Sequence, residues 1–428
     1  MTSKTDWGIS ELKHFTMILD ENGAPWMHGN LYLLYKATIG KPVEPSTIES
    51  IAKDLTKVMN ILHSTGRDYL TFGHKPYQRP TYYVASELEA QVQQGIIGKR
   101  TKNRIVNRMT GLYRWMIPRH DFNPTVELWR EHRTSISYSD SRGFSRHKDI
   151  ITTDLTTACA SENHDFSDYI LDGGRLMPLN KNDQQLLIQA LISIGNPEML
   201  LSFLIALTTG ARIQTVFTLP TEILGSGLMN SDDLLKIKVG YGRATDTKYS
   251  KRMTLLLPGW LHNLLLRYVD SDRYAHRKSM FHGSNGHGDY IFITRTGKPY
   301  YMSKREQSLN SERRPPTGQS VRQFISNRLA PELIKMGAQT VPRFHDLRAT
   351  FGMNLVEEKM PLINQGKASY YAVLNHLKLR LGHESSKTTE GYLTYKTTSL
   401  VKFHAQSRFE KHIEQLVTSR TGMVWNEN

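Results

Sequence analysis

Apolar residues in the first part of the chain recur at helical spacing. After Pro45 they follow at helical intervals and form one apolar stripe along a helix: Ile48, Ile51, Leu55, Val58, Met59 and Leu62. Three further helices are predicted, over 26–39, 86–97 and 99–117. Together they predict a compact helical domain over residues 26–120, preceded by an unpatterned N-terminal arm over residues 1–25.

The second half of the chain combines helical periods with a strand signal. From Pro178 a helix is predicted through QQLLIQALISI, followed by the nearly all-apolar MLLSFLIALTTG, a buried helix that Gly210 ends. DDLLKIKV and RMTLLLP predict strands joined by a polar hairpin. The fold class is therefore mainly α with a small antiparallel β-sheet: a helical N-terminal domain, then an α+β domain over 175–405. Residues 121–174 are polar and predict a linker, with the domain junction near 145.

Charge narrows the range of partners. The net charge is +15 and the pI is near 9.6, which favours a partner that is a polyanion. No apolar run approaches the ~20 residues of a membrane span, and the N-terminus has no signal-peptide core. Cys159 is the only cysteine, which excludes an intrachain disulfide and a thiolate metal cluster. A reducing cytoplasmic compartment, in association with the nucleoid, is expected.

One predicted helix, KRTKNRIVNRMTGLYRWM, carries a basic ridge. Arg100, Arg104 and Arg108 recur every fourth residue beside an apolar face that contains Ile105 and Met109. Such a ridge on a core-packed helix can lie along a DNA backbone. The alternative is a positive face that is merely solvated.

The residues with the most chemistry lie between Arg343 and Tyr395, in RFHDLRATFGMNL and LGHESSKTTEGYLTY. His345 and Arg348 are one helical turn apart and therefore share a helix face. A guanidinium suits a phosphate group, and imidazoles such as those of His345 and His383 can add hydrogen bonds. Tyr392, nine residues after His383, is a candidate nucleophile. Taken singly, each of these residues has an ordinary structural explanation.

Taken together, HDLR, then LGH, then a tyrosine nine residues on resemble the active-site signature of the tyrosine recombinases, the phage-integrase family. The segment TTGARIQTVFTL resembles that family's first catalytic box, with Arg212 as its first arginine. The resemblance covers residues 175 to 405. It implies a catalytic lysine in the β-hairpin, for which Lys248 and Lys251 both qualify, with Lys248 favoured. It also implies that the helical domain binds the core DNA site and that the tail over 406–428 is exchanged between protomers.

The chemistry that the resemblance implies needs no metal, cofactor or ATP. Arg212, Arg348, His345 and His383 would stabilise the charge on the phosphate, and Tyr392 would attack it to leave a 3′-phosphotyrosyl link. Lys248 would protonate the leaving oxygen. No carboxylate cluster of the DxD or DDE kind accompanies these boxes. The implied partners are double-stranded DNA, three further protomers in a synaptic tetramer, and accessory DNA-bending proteins, in the service of a mobile genetic element.

Some features leave alternatives open. The family often has an acidic residue three positions after its first arginine, where this chain has Thr215. Tyr395, Tyr370 and Tyr371 are rival nucleophiles. The competing functions are a type IB topoisomerase-like enzyme, a non-catalytic DNA-binding protein of the same fold, and a metal-dependent nuclease or phosphatase, against which the lack of acidic ligands argues.

Overall fold

The computed structural model divides the chain into two units, Met1–Glu162 and Asn163–Asn428. The division lies inside the segment 121–174 that was predicted as the junction. The residues that the structure describes are 12, 15–39, 43, 45–118, 122–139, 145–157, 169–226, 228–229, 233–281, 289–309 and 315–397. The predicted tail over 406–428 and most of the arm lie outside them.

Four helices build the core of the first unit. They are α1 (Met27–Thr38), α2 (Pro45–His63), α3 (Pro80–Gln93) and α4 (Lys99–Met116). The apolar stripe of α2 is buried, and it meets Val84 and Leu88 of α3 and the apolar face of α4. Helix α3 begins six residues earlier than predicted, because Pro80 is accommodated in the first turn, where no amide donor is needed.

Part of the predicted junction belongs to this first unit. Strands β1 (Glu131–Ser139) and β2 (Ser145–Thr153) form an antiparallel hairpin with Glu131 opposite Thr153. Leu128, Trp129 and Leu155 on either side of it are buried in the helical core. The strands have few apolar residues, so the sequence carries no alternating pattern that would have predicted them.

The second unit opens with a short hairpin and two helices. Strands β3 (Ile170–Leu171) and β4 (Arg175–Leu176) are followed by α5 (Lys181–Ile194) and α6 (Pro197–Thr209). Each helix is preceded by an asparagine whose side chain accepts a hydrogen bond from a backbone amide of the first turn. Each ends at a glycine with positive φ. Helix α6 is apolar on most sides and lies in the centre of the unit, in contact with a sheet strand and a later helix.

The predicted small antiparallel sheet is present, with strand order β5–β6–β7 (Leu228–Met229, Leu234–Val239 and Met253–Pro258). Leu235, Ile237 and Val239 of β6 face the core, while Lys236 and Lys238 face outwards. The fold class predicted from the sequence is therefore confirmed.

Helices make up most of the remainder. Short helices α7 (Ile213–Phe217) and α8 (Glu222–Ser226) precede the sheet, and α9 (Gly259–Val269), α10 (Asp272–Ser279), α11 (Lys304–Leu309), α12 (Gln319–Phe324) and α13 (Ala330–Lys335) follow it. Then come α14 (Asp346–Asn364), α15 (Tyr370–Leu381) and α16 (386–397). No helix among the described residues is long and apolar enough to cross a membrane.

Candidate active site

The β3–β4 hairpin carries an aspartate into a polar cluster of the second unit. At its base Ile170 pairs with Leu176, and both side chains are buried in the apolar cluster that includes Phe351 and Leu393. Asp172 follows β3 and is 2% exposed. Its neighbour Gly173 has a φ of +71°, which favours glycine.

Arg348 is fixed by hydrogen bonds from each of its guanidinium nitrogens. Nε donates to Asp172 Oδ2 at 2.6 Å, Nη1 to the carbonyl of Gly210 at 2.8 Å and Nη2 to the carbonyl of Leu381 at 2.6 Å. Gly210 caps the C-terminus of α6, and Leu381 is the last residue of α15. Carbonyls at helix C-termini carry partial negative charge, so two helix ends hold this cation in one orientation.

Arg212 approaches the same carboxylate from another side. It is the residue before α7, two positions after the glycine that ends α6. Its Nη2 donates to Asp172 Oδ1 at 3.1 Å. Its Nε is buried and has no hydrogen-bond partner among the described residues. Because a buried donor without a partner is costly, this atom is available to a further acceptor in the site.

Two histidines complete the ring of donors. His383 Nε2 lies 2.9 Å from Asp172 Oδ2, and His345 Nε2 lies 3.1 Å from the Asp172 carbonyl oxygen. A carboxylate and a carbonyl can only accept, so each Nε2 carries the proton. Thr389 Oγ1 lies 3.0 Å from His383 Nδ1 and donates to it when the ring is neutral.

Tyr392 lies on α16 with its hydroxyl in the same place. The hydroxyl donates to Asp172 Oδ2 at 3.0 Å, and the side chain is fully buried. Its ring rests directly on the backbone of α14, because a β-carbon added to Gly352 would lie 2.3 Å from the ring. Among the rival tyrosines, Tyr395 packs on the same apolar cluster, while Tyr370 and Tyr371 are 49% and 75% exposed.

The two candidate lysines have different surroundings. Lys248 lies in a helical turn (Lys248–Ser250) between β6 and β7, and a β-carbon built on Gly173 would be 3.3 Å from its Nζ. Lys251 Nζ lies 3.7 Å from Glu384 Oε1, in an ion pair. The structure thus brings Lys248 to the hairpin tip, next to His345, whose Nε2 would be 3.8 Å from the same β-carbon.

The charges of the cluster keep Asp172 ionised. Burial raises the pKa of its carboxyl, but the hydrogen bond from His383 and the charges of Arg348 and Arg212 outweigh that effect. The net result is a pKa well below its usual range. Burial and the Asp172 charge together raise the pKa of Tyr392 well above that of an ordinary phenol, despite the opposing charge of Arg348. In this state the tyrosine is therefore a neutral hydrogen-bond donor.

The two buried histidines should make the stability of the folded protein depend on pH. Burial lowers the pKa of His345 and of His383 below 6.5, although Asp172 opposes the shift. The unfolded chain gains protons at these sites near pH 6.5 while the folded chain does not, so the stabilisation present above that pH is lost on acidification. The urea midpoint of the protein should fall from about pH 7.5 to about pH 5.5, and His383→Gln should flatten that dependence. Identical pH profiles for the two proteins would contradict this expectation.

The chain resembles known proteins in its fold. At the sequence level the chain matches no protein-family model and no curated protein. Among solved structures, the XerH site-specific recombinase in a post-cleavage complex with difH DNA aligns with a TM-score of 0.50 at 14% identity, over 90% of this chain and 85% of XerH. The chain has the tyrosine recombinase fold.

Two other solved structures align over most of their length with lower scores. A lambda integrase dimer on a COC′ core site gives a TM-score of 0.48 at 13% identity, over 89% of this chain and 78% of that one. The Tn1549 transposon integrase with circular-intermediate DNA gives 0.46 at 13% identity, over 85% and 94%. The fold assignment rests on XerH.

One residue of the site in this tyrosine recombinase fold, Asp172, is not predicted from the sequence. It lies in the stretch predicted as a linker, where no motif marks it. The one available signal was the absence of an acidic residue at Thr215, which left Arg212 without an expected partner. The structure supplies that partner from Asp172, and Thr215 is buried in α7.

The basic ridge of the first unit is less uniform than its spacing predicted. Arg100 is exposed, whereas Arg104 donates twice to Asp54 of α2, at 2.9 Å each. Arg108 is half-buried, and its Nε has no partner among the described residues. Since Asp54 neutralises Arg104, Arg100 is the member of the ridge best placed for an external phosphate. A role in DNA binding remains a prediction for all three.

Proposed function

We propose that this protein is a site-specific DNA recombinase that cleaves and rejoins strands through a 3′-phosphotyrosyl intermediate. The observation that carries the proposal is that Arg212, Arg348, His345, His383 and Tyr392 all hydrogen-bond to a single anionic residue, Asp172. These side chains come from separate segments of the chain. A phosphodiester bound in this site would accept hydrogen bonds from the donors that the Asp172 carboxylate and carbonyl now use.

The charge of this donor set fits phosphoryl transfer. A phosphodiester carries one negative charge, and a second develops as the tyrosine attacks. Arg212 and Arg348 supply two fixed positive charges, and the buried neutral imidazoles add directed hydrogen bonds without adding charge. Donors held in place before the reaction stabilise the developing charge without reorganisation. Among the described residues no group of His, Cys, Asp or Glu side chains is arranged to hold a metal ion.

The proposed reaction proceeds in one displacement. The Tyr392 oxygen attacks phosphorus once the phosphate has replaced Asp172. The phenolic proton passes to His383 Nε2, in the neutral tautomer that carries its own proton on Nδ1 and donates it to Thr389 Oγ1. The bond to the 5′ oxygen breaks, and Lys248 protonates that oxygen as it leaves. The covalent link conserves the energy of the phosphodiester, so a 5′-hydroxyl from another strand can reverse the step without ATP.

Double-stranded DNA is the proposed partner. The net charge of +15 supports a polyanion partner, and the outer face of the sheet hairpin adds a basic cleft lined by Lys238, Arg243 and Arg252. XerH itself is a site-specific recombinase with a DNA complex. Assembly as a tetramer, accessory DNA-bending proteins, a nucleoid-associated location and service to a mobile element are parts of the same proposal.

Trapping the covalent intermediate tests the function. A bound sequence is first selected from random duplexes and then nicked beside the cut, so that the short 5′-hydroxyl fragment diffuses away. The full-length protein should form an adduct in excess EDTA. Tyr392→Phe should form none while binding the same DNA, because only the nucleophilic oxygen is removed. Tyr395→Phe is the matched control and should still react. An adduct that persists in Tyr392→Phe, or one that needs added magnesium or zinc, would exclude this mechanism.

The role of Lys248 can be tested with a chemically altered leaving group. Lys248→Ala should slow adduct formation by about 100-fold or more, as expected for loss of a general acid. A substrate with sulfur in place of the bridging 5′ oxygen should restore the rate, because a thiolate leaves without protonation. Lys251→Ala, whose ammonium pairs with Glu384, should need no such rescue. Rescue of Lys251→Ala instead would reverse the assignment.

A further inference from the structure

We propose that Asp172 is a built-in substitute for the scissile phosphate, so that the hairpin tip closes the active site until DNA displaces it. The inference rests on the proposed function for its biological meaning. The structural part of the proposal is that the chain's own carboxylate fills an anion-binding site, and this part can be tested separately.

Asp172 and a phosphate cannot both occupy the site, because they would use the same donors. Its Oδ2 accepts from Arg348 at 2.6 Å, from His383 at 2.9 Å and from Tyr392 at 3.0 Å. A phosphate oxygen that used these donors would have to occupy the volume of the carboxylate. It would also bring a second negative charge into a buried site, where like charges repel strongly. The two anions must therefore exchange.

The hairpin is anchored by apolar packing at its base and held by hydrogen bonds at its tip. Ile170 and Leu176 anchor the base in the apolar cluster around α14. The tip consists of Asp172, Gly173 and Gly174, and its two glycines have no side chains to pack. The Asp172 amide donates to the carbonyl of Gly174, His345 donates to the Asp172 carbonyl, and the side-chain donors of the site donate to the carboxylate. Replacing those donors' partner with phosphate releases the tip without leaving the arginines unpaired.

Closure also holds the nucleophile inactive. The Tyr392 hydroxyl donates its proton to Asp172, and the negative charge of that residue adds to the effect of burial in favouring the neutral phenol. When Asp172 leaves, that hydrogen bond is lost and the phenol faces a phosphate held by two arginines. Entry of the phosphate and release of the tyrosine are thus one event.

Inorganic phosphate is the probe for the first test, with thermal melting as the readout. Asp172→Ala should lower the melting temperature in phosphate-free buffer, and phosphate should restore it. Its half-saturating concentration should be at least about tenfold below that for the wild type, a difference of ~1.4 kcal/mol in binding. Asp54→Ala removes another buried carboxylate paired with a single arginine and should gain no comparable protection. Equal phosphate dependence of Asp172→Ala and either comparison protein would overturn the proposal.

Asp172→Asn serves where the alanine variant does not fold, since it keeps the side-chain volume and one acceptor. Its half-saturating phosphate concentration should also lie below that of the wild type. On the nicked duplex, at saturating DNA, Asp172→Asn should form the adduct at least as fast as the wild type. A loss of more than about tenfold in this rate with unchanged DNA binding would overturn the proposal and make Asp172 a positioning residue needed for cleavage. If neither the wild type nor the Asp172 variants form an adduct, the proposed function fails. The phosphate measurement still decides whether Asp172 fills an anion-binding site.

Discussion

Arg348→Lys is expected to slow adduct formation strongly and to destabilise the second unit. Arg348 is 1% exposed, and its guanidinium satisfies Asp172 and the last carbonyls of two helices. An ammonium on a flexible stem cannot reach all of these acceptors. Each buried acceptor left without a donor should cost roughly 1–3 kcal/mol. The loss of an aligned cationic donor should slow cleavage on the order of 100-fold or more.

Urea denaturation and the nicked-duplex assay measure these two effects. Arg380→Lys is the matched control, because Arg380 packs over the Phe351 ring, 5.0 Å from its centroid, in the same part of the unit. A lysine can keep that cation–π contact, so the control should change both quantities little. A stable and active Arg348→Lys protein would contradict the assigned geometry.

Gly352→Ala is expected to inactivate the protein from a position that carries no functional group. The new methyl would lie 2.3 Å from the Tyr392 ring, and such a contact forces the ring to shift. Displacing a reacting group by about 1 Å can cost on the order of 100-fold in rate. Overpacking of this kind should also lower the free energy of unfolding by about 1–3 kcal/mol.

Gly391→Ala provides the control on the neighbouring helix. Gly391 lies beside Tyr392 in the chain, and a β-carbon there meets no atom within 4 Å. Alanine in a helix interior should stabilise α16 by roughly 0.5–1 kcal/mol, with cleavage retained. Equal losses of adduct formation in both variants would mean that the ring of Tyr392 is not positioned by α14.

The parts of the site that could be predicted from sequence carry local signals. Gly210 and Gly382 each end a helix with a positive φ, and Arg212 and His383 follow them within two residues. A glycine after an apolar periodic run is a helix stop that can be read in a single sequence. The spacing of His345 and Arg348 at the start of α14 is equally local. These residues can therefore be predicted without knowledge of any tertiary contact.

Asp172 could not be found in the same way, because its environment is made by residues far away in the chain. Arg348 and Tyr392 lie 176 and 220 positions after it. Its own segment, LDGGRL, predicts only a turn. The pairing of Arg104 with Asp54 across 50 positions was hidden for the same reason. Likewise, β1 and β2 pair through their backbones, and backbone pairing leaves no apolar pattern in a polar sequence.

The central claim is that Tyr392 becomes covalently joined to DNA, and mass spectrometry of the trapped adduct tests it most directly. After digestion of the DNA and cleavage with trypsin, the peptide over 388–396 contains both Tyr392 and Tyr395. Fragmentation between them assigns the nucleotide remnant to one residue. The remnant is expected on Tyr392. A remnant on Tyr395, or on any other tyrosine of the chain, would contradict it.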